Sequence, residues 1–99
     1  MRGIIWGADR DACGRRLEKL IKEYELYWEA KPLEVKETRD KIWVKFEYGD
    51  VWEAYVAHES NICGKRCNVS LIDSDIDADL IHRIQTCTTC PPYGAIGYF

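Results

Sequence analysis

No stretch of the 99-residue sequence approaches the roughly 18 consecutive apolar residues of a membrane span, so no transmembrane helix is expected. The opening Met1-Arg2-Gly3-Ile4-Ile5-Trp6-Gly7 lacks the apolar centre and small-residue cleavage site of a signal peptide. A cytoplasmic protein without membrane association is the expectation. An excess of positive charge is missing too. Fourteen Lys and Arg against 17 Asp and Glu leave a formal net charge of −3, which gives no generalised attraction to phosphate backbones. With only 3 prolines, no low-complexity tract and no internal repeat, nothing in the chain reads as a linker. The 5 cysteines are an odd number without a secretory signal, which argues against a disulfide framework and for free thiols or a metal site.

What is present is globular. Hydrophobic residues make up 46% of the chain and charged residues 31%, enough for one core, and residues 1–99 read as a single α/β domain. Arg2 to Trp6 reads as a buried strand stopped by Gly7. Asp9 or Asp11 can cap the helix that follows, whose apolar stripe is Cys13, Leu17, Leu20, Ile21, Tyr24 and Trp28, with Pro32 closing the segment. A short strand is expected over Leu33 to Glu37, a hairpin over Ile42 to Ala57 and a loop over His58 to Cys67. A second short strand follows over Asn68 to Ile72, then a helix from Asp75, its cap, to Ile84. Cys87 to Tyr93 reads as a loop and Ala95 to Phe99 as a last strand. The expected fold is α/β, with α+β as the alternative: a small mixed sheet of about five strands with a β-hairpin and two helices.

The hairpin decides which side chains share a face. With Gly49-Asp50 as a two-residue turn, Tyr48 faces Val51, Phe46 faces Glu53 and Val44 faces Tyr55. Trp43 and Trp52 then stand on one face and Val44 and Phe46 on the other. The face with two tryptophans is more apolar than a solvated sheet face needs, so another chain or a partner is expected to cover it. At least one of the two indoles should be accessible in a monomer.

The stretch from Tyr48-Gly49-Asp50-Val51-Trp52-Glu53-Ala54, through Gly64-Lys65-Arg66, to Asn68-Val69-Ser70-Leu71-Ile72-Asp73 resembles the middle of the ATPase domain of viral large terminases and related helicases. The first strand and helix also look like an early strand–helix unit of that fold. The resemblance is partial. It implies a phage or prophage type of protein, with Asp73 as the magnesium-associated aspartate. The sequence departs from the pattern where the chemistry lies: no Gly-x-x-x-x-Gly-Lys-Ser/Thr loop exists to cradle phosphates, and Ser74 stands where an acidic residue commonly follows the aspartate. ATP hydrolysis is therefore not expected.

Cys63-x-x-x-Cys67 and Cys87-x-x-Cys90 sit in two expected loops, and four thiolates from such a pair of knuckles could complete tetrahedral zinc; the favoured expectation is no cofactor and simple free thiols, with zinc as the alternative. Cys87 and Cys90 also have redox-pair spacing, but they follow a helix and precede Pro91-Pro92 instead of opening one. Cys13 falls on the apolar stripe and reads as core. Asp73, Asp75, Asp77 and Asp79 fail the calcium-loop pattern, with Ala78 at its glycine and Ile84 at its glutamate, and helix capping explains most of them. His58-Glu59-Ser60 has the residue types of nucleophilic catalysis, but His58 and His82 read as structural or solvated.

Four tryptophans and six tyrosines are more than one small core needs, and both types are enriched in interface hot spots. The leading expectation is a small non-enzymatic interaction protein that binds a protein partner or itself through Trp43, Trp52, Lys65 and Arg66. A nucleic-acid-binding module stapled by zinc on Cys63, Cys67, Cys87 and Cys90 is the first alternative. A degenerate nucleotide-binding fold without hydrolysis is the second.

Overall fold

The computed structural model describes residues 1–89 and 93–99. Its order is β1 (Arg2–Gly7), α1 (Arg10–Trp28), β2 (Pro32–Glu37), β3 (Ile42–Phe46), β4 (Val51–Val56), α2 (Glu59–Ile62), β5 (Val69–Ile72), α3 (Ala78–Cys87) and β6 (Ala95–Tyr98). The strands form one mixed sheet in the order β2-β3-β4-β1-β5-β6. β4, β1, β5 and β6 run parallel, while β2, β3 and β4 form an antiparallel meander. The α/β expectation holds, with six strands in place of about five and with the four-residue α2 inside the expected loop.

β1 is the centre of the sheet and is covered on both sides, which is why Ile4, Ile5 and Trp6 run together without alternation and are wholly buried. One face packs Ile5, Val44, Phe46, Trp52 and Ala54 against Cys13, Leu17, Leu20 and Tyr24 of α1. The other packs Ile4, Trp6, Tyr55 and Ile72 against Ile62, Ile76 and Ile84. Cys13 is core, as its place on the stripe predicts.

Gly3 leaves room for the Trp52 ring over β1, and Gly7 lets α1 lie close to β1. A Cβ on Gly3 would stand 2.5 Å from the Trp52 ring, and one on Gly7 2.6 Å from Cys13 Sγ. Asp9 is the α1 cap and accepts from Ala12 N at 2.8 Å. The helix ends at Trp28, where Glu29 turns left-handed at φ 50°. The second long helix starts later than Asp75: Asp77 is its cap, accepting from Asp79 N at 2.8 Å, and it runs on to Cys87. Asp75 lies in the preceding turn, where its own N–H is taken by Asp73 Oδ1 at 3.0 Å.

The hairpin register differs from the expected one. Phe46 N donates to Asp50 O at 2.8 Å, and a 3₁₀ turn over Glu47–Gly49 carries Tyr48 at φ 70° and Gly49 at φ 92°. Val44 therefore faces Trp52, and Trp43 faces Glu53. A turn longer by an odd number of residues moves every β4 side chain to the opposite face. Trp43 and Trp52 do not share a face. Trp52 is 4% exposed beneath α1, and Trp43 is partly exposed on the far side of the sheet.

Candidate functional site

The nineteen residues of α1 span about 28 Å, whereas a six-residue strand such as β4 spans about 20 Å. The helix outruns the sheet it covers. Its last turn leaves Leu26, Tyr27 and Trp28 at 73, 68 and 61% exposure. Beside that projecting turn, between α1 and the α1-facing side of β4 and β5, lies a cleft of about 630 Å³. Leu20, Tyr24 and Trp28 form one wall, Trp52, Val69 and Leu71 the floor, and Tyr48 with Asp50 the far rim.

A short polar chain holds this rim in place. Trp52 Nε1 donates to the Tyr24 hydroxyl at 2.8 Å, and that hydroxyl donates to Asp50 Oδ2 at 2.8 Å. Tyr24 also stacks on Phe46, with ring centroids 3.8 Å apart, and tilts against Trp28 at 5.0 Å. Burial pushes the Tyr24 hydroxyl up to about 12, with Asp50 adding to the shift and the Trp52 donor opposing it. At neutral pH it stays protonated and keeps Asp50 turned toward the cleft wall. The carboxylates Glu23, Glu47 and Asp50 all line the cleft, and Arg16 is tied to Glu23 at 2.8 Å. Tyr48 is 83% exposed and sits in a left-handed conformation that a bulky side chain adopts only at a cost.

At the mouth of the parallel strands, where α/β folds commonly bind ligands, an open cleft of about 270 Å³ is lined by Arg15, Asp73, Asp75 and Phe99, but both oxygens of Asp73 are taken by the chain's own backbone. Asp73 lies at the end of β5, as expected, and is buried. Its Oδ2 accepts from Ala8 N and its Oδ1 from Asp75 N, each at 3.0 Å. The β1–α1 connection is only Ala8 and Asp9 between Gly7 and Arg10, too short to wrap a phosphate, and Asp9 already fills the helix N-terminus. Ser74 donates its hydroxyl to Phe99 O at 2.8 Å. These residues do not fit a magnesium–triphosphate group.

The expected zinc ligands are only partly brought together. Cys63 and Cys87 line a small cleft of about 230 Å³, and Cys67 N donates to Cys87 O at 3.0 Å. The Cys67 thiol, however, is buried against Ser70 Oγ at 3.2 Å, which pairs in turn with Thr88 Oγ1 at 2.6 Å. Cys87 belongs to α3 rather than to a loop, and its thiol donates to Arg83 O at 3.5 Å. Burial pushes that thiol up. Cys90 lies outside the described residues. Among the described residues no group of three or more His, Cys, Asp and Glu side chains is arranged to hold a metal ion.

His58 and Ser60 do meet, with Nδ1 2.7 Å from Oγ. The Asn61 side-chain N–H group donates to Val56 O at 2.7 Å and lies 3.1 Å from His58 Nε2, which makes Nε2 an acceptor. The ring proton then sits on Nδ1 and points at Ser60, the reverse of what activating a serine requires. Glu59 is turned away to Arg83, at 3.1 Å. Lys65 extends over the Tyr55 ring at 4.8 Å, and Arg66 is exposed.

No protein-family model matches the chain, and no curated protein matches it in sequence. Its fold is similar to that of the large terminase of a thermophilic bacteriophage, with a TM-score of 0.61 and 12% identity, covering 98% of this chain and 25% of that one. Against the same terminase in complex with ADP the TM-score is 0.62 at 13% identity, again over 98% and 25%. The chain thus spans about a quarter of the length of these neighbours. The likeness is one of fold, in agreement with the partial resemblance seen in the sequence. No helix among the described residues is long and apolar enough to cross a membrane.

Proposed function

We propose that this chain is a non-enzymatic interaction protein that acts through the α1 cleft, and that the occupant is a second copy of itself. The observation that supports this most directly is the adjacency of a projecting apolar turn, Leu26 to Trp28, and an apolar cleft of about 630 Å³ on one side of the molecule. A protrusion and a recess on the same surface suit an isologous contact, in which each copy inserts its turn beside the other's cleft. The pairing rests on apolar contact and not on charge: the projecting turn carries Glu25 and Glu29 beside Lys22 and Lys31, and the cleft rim carries Glu47 and Asp50.

The backbone of Tyr48 supports the same reading. A bulky, exposed residue held at φ 70° is strained where it serves no internal packing, and such strain concentrates at binding sites. Sedimentation velocity over a concentration series tests the proposal. A dimer is expected well below about 100 µM, the range in which an interface of ordinary size is occupied. Tyr27→Glu and Tyr48→Ser, both at exposed positions, should each return the protein to a monomer with unchanged circular dichroism. A wild-type protein that stays monomeric at about 100 µM would overturn self-association through this cleft.

A further inference from the structure

Helices cover only part of the sheet. On the side opposite α1, Lys36, Trp43, Glu53 and Ile4 lie in register across β2, β3, β4 and β1. Glu34, Lys45, Val51 and Arg2 form the neighbouring row. α2 and α3 pack over Ile4, Trp6, Tyr55 and Ile72, so among the described residues no helix covers the half of this face built by β2 and β3.

That open half is charged against the sign of the whole chain. Arg2, Lys36, Lys41, Lys45 and Lys65 gather around the carboxylates Glu34 and Glu53. The local excess is positive, in a protein of net charge −3. Glu53 is buried and takes both Arg2, at 2.6 Å, and Lys41, at 2.8 Å, so this cluster keeps a surplus cation even where it is paired. Lys45 is exposed and has no ion-pair partner among the described residues. In the middle stands Trp43, partly exposed, with Lys36 Nζ 5.3 Å from its ring centroid. The cation over the indole belongs to an exposed side chain that is also paired with Glu34, at 3.1 Å.

The geometry points to this face as a binding surface for single-stranded nucleic acid, with Trp43 as the stacking platform and Lys36, Lys45 and Arg2 as phosphate contacts. A base stacked on the indole displaces Lys36, which is then placed to meet the adjoining phosphate; stacking of this kind tolerates any base. An acidic peptide would use the lysines and leave the indole idle. An anionic membrane would need several apolar side chains around Trp43, where the neighbours are charged. The surface lies across the sheet from the α1 cleft and does not depend on self-association.

Fluorescence anisotropy with a labelled single-stranded DNA of mixed sequence, across a salt series, tests the inference. About three neutralised phosphates predict a slope of about −2 in log K against log salt. Trp43→Leu should weaken binding roughly tenfold, and Lys45→Glu at least as much, with folding unchanged. Lys19→Glu, the same charge change at an exposed position of α1 away from the projecting turn, should leave the affinity as it was. Absence of binding at low salt would overturn the inference. So would equal losses from Lys19→Glu and Lys45→Glu, or equally tight binding of polyglutamate or phosphatidylserine vesicles that ignores Trp43→Leu.

Discussion

The indole N–H of Trp52 donates to the hydroxyl of Tyr24 at 2.8 Å, joining β4 to α1 inside an otherwise apolar layer. Trp52 is 4% exposed and Tyr24 6%, so each group lost from this link leaves a partner without an alternative in water. Tyr24→Phe should cost about 1 to 3 kcal/mol, the desolvation cost of an orphaned buried donor, read by urea unfolding. A double-mutant cycle with Trp52→Phe should recover part of that loss, because removing both partners leaves nothing unpaired. Wild-type stability should also fall as pH rises from the ordinary tyrosine value of 10 toward about 12. The unfolded chain ionises this hydroxyl first. The Tyr24→Phe variant should lose that part of the alkaline decline.

The same pair shows what was legible in the sequence. The stripe from Cys13 to Tyr24 located the buried side of α1, because helical spacing is local. Trp52 was assigned to the wrong face, because its position depends on how many residues the turn after Phe46 consumes. The chain uses Tyr48 and Gly49 in left-handed conformations, and Tyr48 carries no turn signature. Trp28 continued the stripe in sequence, yet it projects from the molecule, since nothing in a linear pattern says where the sheet beneath a helix stops. The aromatic surplus points in the sequence to Trp43 and Trp52, whereas the most exposed rings are those of Tyr27, Trp28, Tyr48, Tyr93 and Tyr98. The exposure of Tyr27 and Trp28 required the relative lengths of helix and strand, and that of Tyr48 the length of the turn. Asp73 was correctly placed at a strand end, but its two backbone donors come from a turn 65 residues away and from the residue two ahead.

Left-handed backbone at two non-glycine residues gives a contrast. Glu29 ends α1 at φ 50°, the position where glycine is favoured, and Tyr48 sits at φ 70° on the cleft rim. Glu29→Gly should raise stability by a few tenths to about 1 kcal/mol and leave the association state unchanged. Tyr48→Gly should raise it by a similar amount while weakening association. A loss of stability at both positions in thermal unfolding would show that these conformations carry no strain.

Zinc is not expected to be retained by the cysteine corner. The Cys67 thiol faces Ser70 in the interior, and burial disfavours the Cys87 thiolate that a metal would need. Protein purified without added metal should contain zinc far below one equivalent, measured by plasma mass spectrometry. Cys63→Ser, at an exposed position, should leave the melting temperature unchanged. One equivalent of zinc that disappears together with stability in this variant would establish the four-cysteine site instead.

Acid should unfold the protein through Glu53. Its carboxyl is buried, which by itself pushes the pKa up, yet it accepts from Lys41 Nζ at 2.8 Å, Tyr55 Oη at 2.7 Å and Arg2 Nη2 at 2.6 Å. These bonds and the Arg2 charge outweigh burial and hold the carboxyl at about 2, against an ordinary value of 4.5. A carboxyl with a depressed pKa in the folded state stabilises fully above its unfolded value, and that contribution is lost as pH falls from about 4.5 toward about 2. The full shift corresponds to roughly 3 kcal/mol, reduced to about 2 because both cations are partly exposed. Glu53→Gln keeps the shape but leaves Arg2 and Lys41 around a neutral amide. It should therefore destabilise at pH 7 by about 2 kcal/mol or more and flatten the acid limb of the stability profile. Urea unfolding of both proteins between pH 7 and pH 2 makes the comparison. Parallel acid limbs would show that Glu53 does not set the acid sensitivity of the fold.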